Sequence, residues 1–290
     1  MSPTDTGADS GKDTGEHFSR LRHYFARSER NYERMLDGAK HFGYHPAGRK
    51  VSEREARDLL HDLVAERLGL SAEDRVLDAG CGQGVVASDL ARKTGCRIDG
   101  ITVLDFEVPK AQARAKAAGV EGRTRFQLMD YSATSFDDAT FDAVYTTETL
   151  SHSPDIRQTL RELHRVLKPG GRVAFFEYSI AETDAFTPRE WTLFERVARG
   201  SAMVGLHEFR NDRFHEVMEA AGFRNVQTEN ITANMLPSLA RLQRFALLPY
   251  YLATWPFGRQ EQNPNRSAAV IYHSMVRKGL VRYNIFTARK

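Results

Sequence analysis

The stretch that decides the fold is Val76-Leu77-Asp78-Ala79-Gly80-Cys81-Gly82-Gln83-Gly84. A short apolar segment typical of a buried strand enters a turn with glycine at every second position, and a helical pattern follows at 85–94. In a doubly wound α/β sheet the ligand binds outside the carboxyl end of such a strand, where glycine lets the backbone approach it closely. This stretch therefore predicts an α/β fold with a ligand site at the turn.

On both sides of the glycine turn, strand-like and helical patterns alternate. Strands are predicted at 76–79, 97–102, 124–128, 141–146, 173–178, 226–231 and 281–287. Helices are predicted at 52–68, 85–94, 108–118, 156–167, 188–199, 210–221 and 268–278. Such alternation places parallel strands between two layers of helices. We therefore predict an α/β fold with a doubly wound, mostly parallel sheet of seven strands.

The flanking segments predict three further regions. Residues 1–16 are polar and rich in Gly, Ser and Thr, which predicts a disordered tail. Residues 17–50 form an N-terminal helical segment, because apolar residues recur there at helical spacing. Residues 51–290 form the core, and the aromatic insertion at 234–265 is expected to be a helical cap.

Composition excludes several classes of protein. The 290 residues are 41% hydrophobic, enough for a sizeable core, and the net charge of +3 with no single basic run gives no case for nucleic acid. The sequence contains no run of 18 apolar residues, so we do not expect stable membrane insertion. The polar N-terminus is unlike a signal peptide. Two cysteines, Cys81 and Cys96, are too few for a disulfide framework or a zinc site. We expect a cytoplasmic protein without a metal.

The glycine spacing distinguishes between cofactors. A dinucleotide fingerprint would need glycine at position 85, where this chain has Val85. The pattern D-x-G-x-G-x-G instead resembles motif I of class I S-adenosylmethionine-dependent methyltransferases, which have a Rossmann-like fold. The resemblance implies S-adenosyl-L-methionine as cofactor. It assigns cofactor binding to the motif residues Asp78, Gly80, Cys81, Gly82 and Gly84. The alternative is an ordinary glycine-rich turn.

Further cofactor residues follow from the same resemblance. Asp130 resembles the acidic residue that binds the adenine amino group, with Tyr131 beside the ring; the alternative for Asp130 is a surface loop residue. Many relatives end the second strand in an acidic residue that holds the ribose, whereas this chain has Gly-Ile-Thr-Val at 100–103. In this respect the sequence resembles the tocopherol and cyclopropane-lipid branches of the family. The resemblance makes Thr102 the candidate for binding the ribose hydroxyls. The segment RVLKPGG at 165–171 matches the family's turn.

Three segments narrow the resemblance to the C-methyltransferases of sterol side chains and to tocopherol methyltransferases. They are His41-Phe42-Gly43-Tyr44 with Tyr32-Glu33 upstream, the run YTTETLSHSP at 145–154, and Phe175-Phe176-Glu177-Tyr178. The likeness implies catalytic roles for Glu148, His152 and Glu177 at the carboxyl edge of the sheet. The acceptor is expected to contact a set of aromatic and imidazole side chains, namely Tyr24, Tyr32, His41, Phe42, Tyr44 and Tyr178.

Alkene chemistry gives a reason for these residue types. An alkene that attacks a sulfonium methyl group becomes a carbocation, which aromatic faces and a carboxylate stabilise. Glu148 can supply the negative field, and His152 or a tyrosine can remove the proton. Each residue has a structural alternative: Glu148 as a helix cap, His152 as a loop histidine, and Glu177 as the organiser of the other two.

The predicted function is therefore C-methylation of a prenyl or terpenoid double bond in a small secondary metabolite, with or without cyclisation. Because 34–37 lacks the aromatic residues of the sterol enzymes, a flat sterol is not the expected acceptor. The sequence resembles bacterial prenyl or terpenoid C-methyltransferases, including those of the teleocidin type. The alternatives are O- or N-methylation with His152 as base, and a non-catalytic S-adenosylmethionine-binding partner. The apolar face of the N-terminal helix predicts a homo-oligomer.

Overall fold

Buried strands joined by helical crossovers organise the fold. The structure, a computed structural model, describes residues 10–290, with side chains from residue 15. The strands are β1 Arg75–Ala79, β2 Arg97–Thr102, β3 Thr124–Leu128, β4 Phe141–Thr147, β5 Leu167–Ile180, β6 Arg224–Asn230 and β7 Val281–Arg289. The helices are α1 Ser10–Leu36, α2 Glu53–Leu68, α3 Val85–Thr94, α4 Val108–Ala117, α5 Ile156–Val166, α6 Pro188–Gly200, α7 Phe214–Ala220, α8 Thr232–Ala253 and α9 Pro264–Arg277. Short 3₁₀ helices span Leu150–His152, Thr183–Ala185 and Val204–Glu208.

The seven strands form one sheet in the order β3-β2-β1-β4-β5-β7-β6. Strands β1 to β5 pair in parallel, and β7 runs antiparallel between β5 and β6. The predicted doubly wound, mostly parallel sheet is therefore confirmed. The chain moves outward from β1 to β3 and then returns to the other side of β1 with β4. Such a reversal opens a crevice at the carboxyl ends of β1 and β4.

Alternation along the strands divides the core into two layers. Leu77, Val144 and Phe175 pack with α5 and α6 on one face of the sheet. Val76 and Ala143 lie on the other face, among residues of α2 and α3. Successive side chains of a strand point to opposite faces, so a strand that is buried on both sides reads as a continuous apolar run.

Local capping explains where two helices begin. Ser52 caps α2 by accepting a hydrogen bond from the Glu55 backbone N–H at 3.2 Å, as its spacing from Glu55 predicts. Thr187 and Glu190 form a reciprocal capping box at the start of α6. These contacts satisfy N–H groups that have no partner inside the helix, so they fix the first turn of each helix.

Several element boundaries differ from the sequence prediction: α7 begins at Phe214 instead of 210 and α9 at Pro264 instead of 268. Strand β5 begins at Leu167 instead of Val173, because Leu167 pairs with Phe141 before a register shift, after which Arg172 pairs with Ala143. The helix α1 is continuous and begins at Ser10. The tail predicted for 1–16 lies largely outside the described residues, and the part from Ser10 onward belongs to α1. The insertion at 234–265 comprises most of α8 and the connection to α9.

The helix α1 packs against the rest of the same polypeptide. Leu21, Tyr24 and Leu36 are buried, the Tyr24 hydroxyl donates to Asn265 Oδ1 at 2.5 Å, and His17 Nε2 bonds the His152 carbonyl at 2.8 Å. This helix therefore covers the carboxyl edge of the sheet, and homo-oligomerisation through it stays a prediction. Within residues 10–290, none of the helices combines the length and the apolar character that crossing a bilayer requires.

We expect Leu163→Ala to lower the free energy of unfolding by about 3 kcal/mol, because Leu163 is fully buried between α5 and the sheet. Urea unfolding followed by circular dichroism measures the change. The exposed neighbour Arg161 provides the control on the same helix, and Arg161→Ala should change stability by less than about 0.5 kcal/mol. Equal effects of the two substitutions would contradict the proposed core.

Candidate active site

The three glycines of the turn after β1 differ in how much space surrounds them. A Cβ atom at Gly80, where φ is +103°, would lie 2.2 Å from the Thr149 side chain. At Gly84 a Cβ would lie 2.9 Å from both Ala111 and Phe126, so this glycine allows α3 to pack closely. At Gly82 the nearest atoms would be 3.9 Å away. The turn is therefore closed on its Thr149 side and open at Gly82.

The open side of the turn faces a cavity of about 450 Å³ at the carboxyl edge of the sheet. Its wall includes the predicted cofactor residues Gly80, Cys81, Gly82, Thr102, Asp130 and Tyr131. Its wall also includes the predicted acceptor and catalytic residues Tyr24, Tyr32, His41, Phe42, Tyr178, Glu148 and His152. The structure thus brings both predicted sets to one cavity. Asp78, Gly84, Tyr44 and Glu177 are not part of this wall.

Asp78 lies behind the glycine turn. Its carboxylate is buried and accepts a hydrogen bond from the Tyr145 hydroxyl at 2.7 Å. Burial raises the pKa of Asp78 to about 7, although the bond from Tyr145 opposes this shift. Asp78 thus lies outside the cavity wall, and its predicted contact with the cofactor stays a prediction.

A carboxylate that the sequence prediction missed lies beside Thr102. Glu107 is 1% exposed, belongs to the cavity wall and accepts a hydrogen bond from Thr102 Oγ1 at 2.6 Å. Lys40 pairs with its other oxygen. Glu107 thus brings a buried carboxylate from the start of α4 to the end of β2. An acidic residue five positions after the strand was the available signal.

Asp130 and Tyr131 follow β3 at the cavity wall. Asp130 Oδ1 accepts the Ser132 backbone N–H at 2.8 Å, which fixes the loop. The Tyr131 hydroxyl donates to the Thr149 carbonyl at 3.0 Å, and burial raises its pKa above the usual range. Tyr131 therefore joins the loop after β3 to the turn after β4, and Asp130 keeps a carboxylate oxygen for a ligand.

Glu148 forms a half-buried part of the cavity wall directly after β4. Its Oε1 accepts the Phe42 backbone N–H at 2.8 Å and the Tyr283 hydroxyl at 3.0 Å. Its Oε2 accepts the Tyr178 hydroxyl. Separation from water raises the pKa of Glu148 to about 7, and the three hydrogen bonds limit that rise. The backbone of Glu148 has φ of +55°, which indicates local strain at this position. The contact of Tyr283 with Glu148 was not predicted, because Tyr283 lies on the distant strand β7.

His152 is the last residue of the 3₁₀ helix Leu150–His152, which follows Glu148 in the chain. Its Nδ1 donates to the Ala202 carbonyl at 3.1 Å, so the lone pair of the neutral ring is on Nε2. Nε2 makes no hydrogen bond to the described residues. Burial lowers the pKa of His152 to about 4 and keeps the ring neutral near pH 7. His152 can therefore accept a proton from a molecule in the cavity.

Glu177 organises the turn from behind instead of facing the cavity. It is fully buried, and its Oε1 accepts the backbone N–H groups of Thr149 and Leu150, both at 2.6 Å. Burial raises its pKa to about 8. Glu177 thus holds the segment that carries Glu148 and His152, as its structural alternative predicts, and a catalytic contact of Glu177 stays a prediction.

His41 belongs to a row of buried polar contacts. Its Nδ1 donates to the Phe42 carbonyl at 2.9 Å, and its Nε2 lies 3.1 Å from Nε2 of His61. His61 in turn bonds Asp89 at 2.9 Å. Burial lowers the pKa of His41 to about 3. These contacts fix the loop from which Phe42 donates to Glu148, while Tyr44 packs away from the cavity against α2.

Strand order, the glycine turn and the acidic groups around it together define a class I S-adenosylmethionine-dependent methyltransferase architecture. A family described as "Methyltransferase domain" matches residues 77–175. The "S-adenosyl-L-methionine-dependent Diels-Alderase iccD" of Talaromyces variabilis is 32% identical over 232 residues, which cover 77% of this chain and 78% of that protein. The chain belongs to the S-adenosylmethionine-dependent methyltransferase family, and S-adenosylmethionine is its cofactor.

Two further relatives differ in their named activities. The "Sterol 24-C-methyltransferase" of Eremothecium gossypii is 28% identical over 239 residues, covering 79% of this chain. The chain spans 63% of the length of that enzyme. The crystal structure of the "[4+2]-Cyclase SpnF" superposes with a TM-score of 0.68 at 29% identity, covering 87% of this chain and 88% of that one. The family thus includes relatives named for methylation and relatives named for cyclisation.

We expect Gly80→Ala to weaken S-adenosylmethionine binding at least tenfold, because the new Cβ would displace Thr149 and shift the turn. Isothermal titration calorimetry measures the affinity. Gly119→Ala is the matched control, since Gly119 also has positive φ but has nothing within 4 Å of the added Cβ. The control should lose about 1 kcal/mol of stability and keep its affinity. Unchanged affinity in Gly80→Ala would contradict the assignment of this turn.

Proposed function

We propose that the protein transfers the methyl group of S-adenosylmethionine to a carbon of a prenyl or terpenoid double bond through a carbocation. The acceptor is a small secondary metabolite. The single observation that carries the proposal is Glu148, a half-buried carboxylate held by two tyrosine hydroxyls in the wall of a cavity to which nine Phe and Tyr residues contribute. A fixed negative group of this kind stabilises a positive charge that develops beside it.

The cavity residues fit the cofactor. The open position at Gly82 leaves room for close approach of a ligand to the backbone, and the buried Glu107 carboxylate can accept hydrogen bonds from ribose hydroxyls. Asp130 can accept from an adenine amino group. The bound cofactor would supply an electrophilic methyl group on a sulfonium ion. Asp78, Gly84 and Tyr131 would then act by keeping the turn and its neighbouring loops in place.

Aromatic faces provide the second stabilising element. The Lys40 ammonium already lies 4.0 Å from the centre of the Phe25 ring and 5.8 Å from that of Tyr32. These distances are typical of cation–π contacts, which contribute about 0.5–2 kcal/mol each. Tyr24, Phe42 and Tyr178 extend the same wall. A carbocation formed here would meet ring faces and the Glu148 field together, and residues 234–265 would cap the acceptor through Leu239, Leu242 and Phe245.

His152 is the proposed base for the proton that the carbocation loses. Its Nε2 lone pair is free of hydrogen bonds to described residues, and its lowered pKa keeps it neutral near pH 7. The tyrosines are poorer candidates, because the pKa values of Tyr24 and Tyr178 are raised well above the usual range. Those hydroxyls would remain protonated and act as donors.

Cyclisation without methyl transfer is a second candidate. It is favoured by the names of iccD and SpnF, which resemble this chain over 77% and 87% of its length. An enclosed apolar cavity can fold a flexible acceptor for ring closure. Methylation of oxygen or nitrogen, with His152 as base, is the alternative within methyl transfer. The nature and position of the new bond distinguish these reactions.

The experiment is mass spectrometry of reactions that contain methyl-labelled S-adenosylmethionine and a panel of prenylated indoles, prenyl diphosphates, sterols and phenols. We expect label on an alkene carbon, and a rate about 10²–10³ times lower in Glu148→Gln. Glu162→Gln is the control, because Glu162 pairs with Arg165 away from the cavity and its loss should leave the rate unchanged.

Other results would replace the proposal. Label on oxygen or nitrogen would indicate heteroatom methylation with His152 as base. A cyclised product without label would indicate the second candidate. Cofactor binding with no product from any acceptor would favour a non-catalytic partner.

We expect the rate of methyl transfer to rise with pH through about 7, because Glu148 has a raised pKa of about 7 and stabilises the cation only when ionised. His152, with a pKa of about 4, is already neutral over this range. Single-turnover rates between about pH 5 and pH 9 measure the profile. Glu148→Gln should remove this dependence, whereas a profile that persists in the variant would assign it to another group such as Glu177.

A further inference from the structure

Exposed apolar side chains are concentrated at the end of α8 and in the segment that follows it. Seven of the nine large hydrophobic residues exposed in the described part of the protein lie within 245–257. They are Phe245 (64%), Leu247 (42%), Leu248 (68%), Tyr251 (53%), Leu252 (65%), Trp255 (49%) and Phe257 (64%). We name this surface the 245–257 patch. A contiguous apolar surface of this kind marks an interaction site.

The charged residues of the segment that carries the patch have one sign. Residues 230–260 contain no Asp or Glu and three arginines, Arg241, Arg244 and Arg259. Arg241 pairs with Glu53. Arg244 and Arg259 form no ion pair with any residue between 15 and 290, and the Arg259 guanidinium lies 5.2 Å from the Phe257 ring centre. Two cations without a carboxylate partner in that range therefore border the exposed apolar side chains.

We propose that the 245–257 patch docks the protein on the surface of a bilayer that contains anionic phospholipids. Leu, Phe and Trp side chains partition into the boundary between headgroups and acyl chains, and arginines bind lipid phosphates. Trp255 and Tyr251 have the amphipathic rings that favour this depth. Because α8 is also anchored by its buried residues Met235, Leu239 and Tyr250, the helix lies on the membrane and does not cross it.

A second copy of the protein fits the patch less well. A two-fold interface places the same surface on both sides, so the arginines of two copies would meet. The patch offers no carboxylate to pair with them, and like charges at an interface oppose association. Lipid phosphates supply the missing negative charge.

The patch is continuous with the mouth of the active-site cavity. Phe245 is 64% exposed and also lines the cavity, together with Ala246 and Pro249. A lipophilic acceptor could thus pass between bilayer and cavity without crossing water. This consequence rests on the proposed function, whereas docking itself requires only the surface.

The test is flotation of the full-length protein with vesicles of phosphatidylcholine alone or mixed equally with phosphatidylglycerol. We expect binding to the mixed vesicles that weakens at high salt. The double substitution L248S/L252S should lower the partition coefficient at least about tenfold, because it removes two apolar side chains from the membrane boundary. Arg244→Glu should lower binding to the mixed vesicles alone, by about tenfold. Leu128→Ser removes an exposed leucine on β3 and should leave binding unchanged.

A second readout localises the contact. Trp255 is one of two tryptophans, so its emission should shift to shorter wavelength when mixed vesicles are added. Trp255→Phe should lose the shift and still float. Circular dichroism and cofactor affinity show that each variant is folded.

Three outcomes would overturn the proposal. They are the absence of flotation, an equal loss in Leu128→Ser, and an oligomer that L248S/L252S dissociates without a change in vesicle binding. The last outcome would assign the patch to a second copy. The flotation assay contains no acceptor. A negative result would therefore contradict membrane docking and would leave the proposed methyl transfer untouched.

Discussion

The active site depends on how the turn at Thr149 is held. Glu177 accepts the backbone N–H groups of Thr149 and Leu150, Tyr131 donates to the Thr149 carbonyl, and the absence of a side chain at Gly80 leaves space for the Thr149 side chain. A fully buried carboxylate is costly unless hydrogen bonds compensate for lost water, and the two N–H groups do so for one oxygen of Glu177. The same contacts join the cofactor turn to the catalytic segment. Displacement of Thr149 would therefore disturb both halves of the site.

The charge distribution around this turn favours a cation in the cavity. Burial raises the pKa of Glu177, and the nearby negative charge of Glu148 raises it further. Tyrosine hydroxyls, which have raised pKa values, surround Glu148 and can only donate to it at neutral pH. His152 is kept neutral by burial, which lowers its pKa to about 4. Lys40 is neutralised by Glu107. A positive charge that forms beside Glu148 thus meets tyrosine and phenylalanine rings together with a carboxylate.

The sequence was sufficient for the fold because the signals were local. The strand and glycine spacing at 76–84 and the alternation of strands and helices placed the sheet and its crevice correctly. Contacts between distant elements were not predictable. Tyr283 reaches Glu148 because β7 inserts antiparallel beside β5 and aligns Tyr283 with Tyr178, a register that no short pattern encodes. The positions of Glu177 and Glu107 were not predictable either. Glu177 lies on β5, where the alternation of side chains turns it away from the cavity, and Glu107 reaches the cavity from the start of α4.

The resemblance to both methyltransferases and cyclases raises the question of which chemistry this cavity suits. Ring closure of a neutral polyene by a [4+2] route develops little net charge, so it gains little from a fixed carboxylate. Glu148 is nevertheless kept in the wall with a raised pKa and a strained backbone, at a free-energy cost of order 1–3 kcal/mol for the backbone alone. Three donors hold it in one orientation. Such preorganisation lowers a barrier only when charge forms nearby, which is the condition met by an alkene that has accepted a methyl cation equivalent. The geometry around Glu148 therefore argues for methyl transfer, and any cyclisation would follow from the cation that it produces.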